Sequence, residues 1–306
     1  MPLRSMRAAL ALCLPLLTLG IVSCQPSSGP RCTNVASTRT TVRYATTPGV
    51  DAGLQSLDLY RPKLEAGCPT VPVVLYVHGG GWMRGDKANQ ILTKVDLFAQ
   101  KLGWVFVSVN YRLSPSPIDV ADPDGVRAPT HARDVAASVA WVRANARRYG
   151  ADPNRIALVG HSAGAGLVSN LGTDESLLAG AGVPRQAVRC VASLDTESYD
   201  VADGIARNRS LYENAFGTDP DGWTAASPIH QLTDGEALPP FLIVSHTAAA
   251  WQANSAEFRD ALVAAGGTAT LKVVPLDHEG INDAVGASGD RYVTPPLVAF
   301  LGRCLA

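Results

Sequence analysis

The chain has 306 residues, of which 46% are hydrophobic and 17% charged, and its 26 basic and 27 acidic side chains leave a formal net charge of -1. This balance argues against a nucleic-acid-binding protein, because phosphate recognition requires a concentrated basic surface. The composition is that of a globular chain rather than a disordered one, and the length fits one large α/β domain or two small ones.

The N-terminal residues have the pattern of a secretory signal. Arg4 and Arg7 precede a mostly apolar run over residues 8–22. That run is shorter than the roughly 20 residues that span a bilayer, so we expect a cleaved signal peptide over residues 1–23.

The end of this segment also suggests lipid attachment. Residues 21–24 read IVSC and resemble the bacterial lipobox, whose cysteine is acylated and becomes the mature N-terminus. We therefore expect Cys24 to be a candidate anchor to a membrane, followed by a tether over residues 24–37. The protein is predicted to be exported, as a cell-envelope lipoprotein or as a secreted or periplasmic protein.

Four further cysteines lie beyond this segment, namely Cys32, Cys68, Cys190 and Cys304. An even number in an exported protein suggests two disulfides, for which three connectivities are possible. We expect Cys32 to pair with Cys68 and Cys190 with Cys304. Buried free thiols are the alternative, and the spacing matches no zinc motif.

Strand-like and helix-like segments alternate from residue 38 to the C-terminus. The strand candidates are residues 41–45, 55–59, 71–77, 104–109, 156–159, 188–194, 241–244 and 270–274, and the clearest helix candidates are residues 131–149, 255–265 and 297–305. This alternation predicts an α/β domain over residues 38–306, with a mostly parallel sheet covered by helices on both faces. Ligands of such sheets bind beyond the carboxyl ends of the strands. Residues 113–129 and 196–238 are candidates for a lid or pocket wall there.

A glycine run, HGGGW, follows the predicted strand at residues 71–77. Three glycines allow the backbone to turn its N–H groups into a cavity, and the amides of Gly80 and Gly81 are candidate donors to an oxyanion. No Lys-Ser/Thr pair follows, which excludes a Walker phosphate loop. We interpret His78 as a hydrogen-bonding anchor of the loop.

The sequence GHSAG at residues 160–164 follows an apolar strand and precedes a predicted helix. This is the G-x-S-x-G pattern in its required strand–turn–helix context, with Ser162 as the candidate nucleophile. Gly160 and Gly164 let the two chain segments approach closely. The helix beginning at Ala163 directs its free amides toward the same point, so Ala163 is the third candidate oxyanion donor.

With these motifs the chain resembles the α/β-hydrolase-fold carboxylesterases that contain HGGG, near the hormone-sensitive-lipase-like and BD-FAE-type esterases. The segments that carry the resemblance are HGGGW (78–82), NYRL (110–113), RDVAASVAWVRAN (133–145), GADPNRIALVGHSAG (150–164) and LDHEGIN (276–282). The resemblance implies a mostly parallel twisted sheet of about eight strands, a Ser–His–acid triad, and ester hydrolysis without a cofactor or metal.

The general base is expected after the last strand. His278 follows the strand at residues 270–274, so we predict that it takes the proton from Ser162 and returns it to the leaving alcohol. The other histidines fit less well. His161 lies within the turn of the nucleophile, and His230 and His246 are weaker competitors for contacts in the pocket.

The position of the acid departs from the family pattern. In the family it commonly follows the next-to-last strand as H-G-x-x-D, and Ala250 occupies that position here. The first alternative places the acid one strand earlier, at Asp195, which keeps the chain order of nucleophile, acid and base. The second assigns it to Glu197 or Asp200 in the same loop, and the third is a weak enzyme or a non-catalytic binder. A helix cap or turn is the structural alternative for Asp195.

These inferences predict an exported serine carboxylesterase with Ser162, His278 and Asp195 as its triad. Its partner is expected to be a small-molecule ester, and the resemblance suggests short acyl chains. An amide or formamide hydrolase would share the whole constellation, because pocket shape sets the choice of leaving group. A non-catalytic ligand-binding lipoprotein is the alternative from another class.

Overall fold

Central strands of the sheet consist almost wholly of apolar residues. In β3 (Val71–Val77), which reads VPVVLYV, all seven residues are buried. A strand with helices on both faces has no solvent-facing side, which explains why its sequence does not alternate. The buried side chains accordingly form two clusters, one on each face of the sheet.

The computed structural model describes residues 30–306. Its other strands are β1 (Ser37–Arg43), β2 (Ser56–Pro62), β4 (Val105–Val109), β5 (Ala151–His161), β6 (Val188–Leu194), β7 (Phe241–Ser245) and β8 (Ala269–Val273). They form one eight-stranded sheet in the order β1-β2-β4-β3-β5-β6-β7-β8. β1 and β2 pair antiparallel with their neighbours and all other pairs are parallel. The predicted α/β-hydrolase architecture is thereby confirmed.

Within residues 30–306, ten α-helices connect or cover the strands. They are α1 (Leu92–Val95), α2 (Thr130–Asn145), α3 (Ala163–Thr173), α4 (Glu175–Gly180), α5 (Val201–Arg207), α6 (Arg209–Phe216), α7 (Pro220–Ala226), α8 (Ala249–Ala264), α9 (His278–Ala284) and α10 (Thr294–Cys304). A π-helix (Asp96–Lys101) continues α1, and short 3₁₀ turns lie at Ala146–Tyr149, Arg185–Ala187 and Pro228–Gln231. The three helices expected from sequence periodicity correspond to α2, α8 and α10.

One strand contains residues that are typical of turns. Residues 152–154 (DPN) have this character, yet they belong to β5, which has eleven residues. The pairing with β3 is irregular at this point, since Val71 is opposite Ala151 but Val73 is opposite Ile156. The irregular register accommodates these turn-forming residues without ending the strand.

Both expected disulfides are present. Cys32 bonds to Cys68, with their Cα atoms 5.7 Å apart, and thereby attaches the segment before β1 to the segment after β2. Cys190 in β6 bonds to Cys304 at the end of α10, with a Cα–Cα distance of 6.2 Å. Disulfides of this kind are typical of exported proteins.

The two predicted lid segments bond to each other beyond the carboxyl ends of the strands. The side-chain amide of Asn214 donates to Pro115 O at 3.0 Å, and its carbonyl accepts from Asp119 N at 3.1 Å. The amide of Ala128 donates to Ala215 O at 2.8 Å. The two segments, the second of which contains α5, α6 and α7, form a small cap over one end of the sheet.

The predicted signal peptide and Cys24 lie outside the described residues, as do the first six residues of the predicted tether, 24–29. Among the helices of residues 30–306, none combines the length and apolar character that a bilayer span requires.

Candidate active site

Ser162 occupies a strained turn between β5 and α3. Its backbone angles are φ 55° and ψ −124°, a region that residues with a side chain rarely adopt. The turn is this tight because glycines flank it. A Cβ atom added at Gly160 would lie 2.3 Å from Gly164 O, and one added at Gly164 would lie 2.2 Å from Val77 O. Ser162 also makes no side-chain cap to α3, which leaves its hydroxyl available.

The glycine loop after β3 lies directly against this turn. A Cβ atom at Gly79 would lie 2.8 Å from the Cβ of Ser162. Gly80 and Gly81 have φ values of 110° and 60°, which turn the loop back on itself. Across residues 30–306 the amides of Gly80 and Gly81 donate to no protein acceptor, and the amide of Ala163 is the first of a helix, where no intrahelical acceptor exists.

His78 anchors the glycine loop. Its ring is buried and stacks on Tyr111 at a centroid distance of 4.6 Å, while Nδ1 lies 2.7 Å from Gly79 O. Burial lowers the pKa of His78, so the ring is neutral near pH 7. These contacts fit the anchoring role expected from the sequence.

His278 is the first residue of α9 and follows Asp277, whose carboxylate caps that helix through Gly280 N at 2.7 Å. The Nδ1 atom of His278 lies 2.7 Å from Asp195 Oδ2. Its backbone oxygen is 2.9 Å from Nε2 of His161, the neighbour of Ser162. The loop after β8 therefore brings this imidazole to the turn of Ser162.

Asp195 directly follows β6 and is completely buried. Its φ of 54° turns the chain sharply at the end of the strand. Burial raises the pKa of this carboxyl, but the hydrogen bonds from His278 and His246 outweigh it, and the net shift is downward. The carboxylate is therefore ionised at neutral pH and acts as an acceptor for both imidazoles.

The other two acid candidates bond elsewhere. Glu197 forms an ion pair with Arg207 at 3.0 Å. Asp200 caps α5 through Ala202 N at 2.9 Å and contacts His230 at 3.0 Å. Of the three carboxylates considered from the sequence, Asp195 is the one in hydrogen-bond contact with His278.

Ser162 and His278 line the same cavity, of about 410 Å³. Gly80, Gly81 and Ala163, the three predicted oxyanion donors, line it as well. Among the described residues, the hydrogen bonds of His278 lead to Asp195 and His161 and not to Ser162. Hydrogen bonds that transfer a proton in catalysis are often long without substrate, and they shorten to about 2.6–3.2 Å when substrate binds.

For two residues of this site the sequence indicated pocket contacts at most. His246, which follows β7, contacts both oxygens of Asp195, and Trp251 packs between the rings of His246 and His278 at centroid distances of 4.7 and 5.1 Å. Ala250 lies four residues after His246, where the family pattern has its acid, so the sequence indicated a missing carboxylate. This spacing did not indicate a role for His246. Within residues 30–306, no cluster of three or more His, Cys, Asp or Glu side chains is arranged to hold a metal ion.

Residues 57–251, more than half of the chain, match the model of the BD-FAE family. The chain belongs to this family. It is 33% identical over 215 residues to Esterase LipC of Mycobacterium tuberculosis, covering 63% of this chain and 48% of the relative. Esterase LipQ of the same organism is 30% identical over 268 residues, covering 80% of this chain and 58% of the relative. The chain thus spans about half the length of these esterases.

Solved structures share the fold. Esterase B from Lactobacillus rhamnosis superimposes with a TM-score of 0.69 at 21% identity, covering 89% of this chain and 87% of that one. A truncated carbohydrate esterase from gut microbiota gives a TM-score of 0.68 at 20% identity and covers 89% of this chain and 98% of its own. At these identities the likeness establishes the α/β-hydrolase fold.

Proposed function

We propose that this protein is a serine carboxylesterase in which Ser162 is the nucleophile, His278 the general base and Asp195 the acid. The observation that carries the proposal is the 2.7 Å contact between His278 Nδ1 and Asp195 Oδ2, on the wall of the cavity that Ser162 also lines. An imidazole whose Nδ1 donates to a buried carboxylate has its Nε2 free as a base.

In the acylation step, Ser162 Oγ forms a bond to the ester carbonyl carbon while its proton passes to His278 Nε2. The carbonyl π electrons move to oxygen, giving a tetrahedral oxyanion. When the intermediate collapses, the bond to the alkoxy group breaks and His278 returns the proton to the leaving alcohol. Asp195 stays ionised throughout and stabilises the imidazolium.

The oxyanion would be held by the amides of Gly80, Gly81 and Ala163. Two of these belong to the glycine loop and one begins α3, so the fixed N–H groups and the positive end of the helix act together. Loss of one such donor typically reduces kcat by about 10²–10³-fold. In deacylation, water attacks the acyl-enzyme with His278 again as the base, which releases the carboxylic acid and regenerates Ser162.

Short-chain esters are the proposed substrates. The cap places Leu211 and Tyr212 in the wall of the cavity, whose volume of about 410 Å³ suits a small acyl group and alcohol. Relatives that are named esterases support ester rather than amide hydrolysis. The non-catalytic alternative rested on Ala250, and the hydrogen bond between His278 and Asp195 supports the catalytic alternative instead.

We further propose that the exported protein is attached to the cell envelope through a lipid on Cys24. The lipobox-like residues 21–24 and the two disulfides support this placement. Mass spectrometry of the mature N-terminal peptide tests it. An acylated Cys24 is expected, whereas an unmodified N-terminus elsewhere in residues 20–37 would indicate a freely secreted protein.

The test of the enzymatic proposal is labelling with a fluorophosphonate followed by peptide mapping. We expect the label on Ser162 and its loss in Ser162→Ala. A parallel panel of p-nitrophenyl esters with increasing acyl length, together with N-formyl amides, should show turnover of short esters. An unlabelled Ser162 would refute the proposal, and preferential cleavage of the amides would make the protein an amide hydrolase.

A further inference from the structure

Two imidazoles share the carboxylate of Asp195. His278 Nδ1 lies 2.7 Å from Oδ2, and His246 Nδ1 lies 2.9 Å from both Oδ1 and Oδ2. The backbone amide of His246 also donates to Oδ1 at 2.8 Å. A hydrogen-bonded Ser–His–acid triad requires only one imidazole on the acid, so the second contact needs an explanation of its own.

The tautomer of His246 follows from the acceptor. An ionised carboxylate has no proton to donate, so the Nδ1 atoms of His246 and His278 must each carry one. In the neutral ring of His246, Nε2 is then the unprotonated nitrogen. His246 is on the cavity wall with 17% of its side chain exposed, whereas Asp195 is fully buried. The imidazole of His246 therefore contacts the buried carboxylate and also lines the cavity.

The geometry at the end of β6 explains why Asp195 needs a second donor. Its carboxylate reaches His278 from a chain that turns immediately after the strand, with φ 54°. The hydrogen bond from His278 engages only Oδ2. By itself it does not fix the rotation of the carboxylate about the Cβ–Cγ bond. The two N–H groups of His246 engage Oδ1, and its ring engages both oxygens, so the carboxylate plane is fixed.

Trp251 completes this arrangement. Its ring lies 4.7 Å from that of His246 and 5.1 Å from that of His278, in both cases inclined rather than parallel. β7 ends at Ser245 and α8 begins at Ala249, so His246 lies in the short connection and Trp251 in the first turn of the helix. Ala250, which stands where the family commonly has its acid, belongs to the same first turn.

We propose that His246 is a positioning residue, which fixes the carboxylate of Asp195 so that a carboxylate from β6 can orient His278. This inference rests on the proposed function and adds a residue to it. The β7–α8 connection, having no acid of its own, supplies instead the donor that holds the acid of the neighbouring strand.

The test compares two substitutions of His246. His246→Leu keeps the approximate volume but removes the side-chain donor, whereas His246→Asn retains an amide N–H close to the position of Nδ1. His230→Leu is the matched control, because His230 forms the same kind of contact with Asp200 at 3.0 Å on the surface. If His246→Leu does not fold, His246→Gln replaces it. The side-chain amide of Gln lies near the position of Nε2, so it does not supply the donor at the position of Nδ1.

With p-nitrophenyl acetate we expect His246→Leu to lower kcat by about 10²-fold with KM nearly unchanged, the loss expected from misplacing a catalytic group. His246→Asn should recover most of kcat, and His230→Leu should equal the parent. Parental kcat in His246→Leu, or an Asn variant as impaired as Leu, would overturn the proposal.

A second measurement is independent of turnover. In protein labelled with ¹⁵N-histidine, the Nδ1–H resonance of His278 should move in His246→Leu and return toward the parental position in His246→Asn. An unmoved resonance would refute the positioning role, even for a parent that hydrolyses esters. If the parent does not hydrolyse esters, the proposed function fails, and the resonance still decides whether His246 positions Asp195.

Discussion

At the scale of single residues, burial keeps two histidines beside the active site and the cap uncharged. His131 is buried in α2, and its Nε2 lies 2.9 Å from Ser114 Oγ. Burial lowers the pKa of His131 to about 4, and it lowers that of His161 to about 4 as well. Both rings are therefore neutral in the folded protein at neutral pH.

This lowered pKa predicts a loss of stability in acid. Between pH 6.5 and 4 the unfolded chain binds a proton at His131 that the folded protein does not bind, so the free energy of unfolding falls as the pH decreases through this window. We expect the parent to lose about 2–3 kcal/mol more than His131→Gln between pH 7 and pH 4.5. Urea unfolding at the two pH values measures this, and parallel pH dependences in parent and variant would contradict it.

Residue patterns point to the proposed nucleophile and base more directly than to the proposed acid. Ser162 and His278 belong to local motifs whose context in the chain is sufficient to recognise them. The contact of Asp195 with His278 depends on the turn after β6 and on the neighbouring β7, which no local pattern describes. Local patterns do not describe the contact of His246 with Asp195 for the same reason, because the two residues are 51 positions apart in sequence.

At the scale of elements, the turn between β5 and α3 depends on the absence of side chains. Gly160 and Gly164 are in contact through backbone atoms, so a methyl group between them cannot be relieved by a change of rotamer. The periodicity of hydrophobic residues predicted α2, α8 and α10, but not the short helices of the cap. The cap helices have only seven or eight residues each, too few for a clear periodicity, and contacts such as those of Asn214 with residues 115 and 119 hold them in place.

Gly160→Ala tests the packing of this turn. The added methyl would lie 2.3 Å from Gly164 O, so we expect a destabilisation of about 1–3 kcal/mol together with a large loss of esterase activity. Gly180→Ala in α4 is the control, because no atom lies within 4 Å of its added methyl. Denaturant unfolding should find Gly180→Ala unchanged or slightly more stable. Equal effects of the two substitutions would show that close packing does not constrain the turn.

At the scale of the whole molecule, the two disulfides differ in what they connect. Cys32 and Cys68 are 36 residues apart in sequence and near the surface, whereas Cys190 and Cys304 are 114 residues apart and join the central sheet to the last helix. The even number of cysteines suggested two bridges, but spacing alone left three pairings open. The sheet topology, which brings α10 against β6, determines the second pair.

The longer loop predicts the larger contribution to stability. Loop-closure entropy alone makes the Cys190–Cys304 bridge about 1 kcal/mol more stabilising than the Cys32–Cys68 bridge. We therefore expect the double variant Cys190→Ala/Cys304→Ala to have a lower free energy of unfolding than Cys32→Ala/Cys68→Ala. Urea unfolding under non-reducing conditions compares them, and the reverse order would contradict an entropic origin.

The proposed triad also depends on the whole sheet, because Ser162 follows β5, Asp195 follows β6 and His278 comes after β8. Its most direct test is kcat of Asp195→Asn, with Asp200→Asn as the control for loss of a nearby carboxylate. If Asp195 orients His278, its amide analogue imposes the wrong tautomer, and kcat should fall by about 10⁴-fold while Asp200→Asn stays near the parent. Near-parental turnover in Asp195→Asn would contradict the assignment of Asp195 as the acid that orients His278.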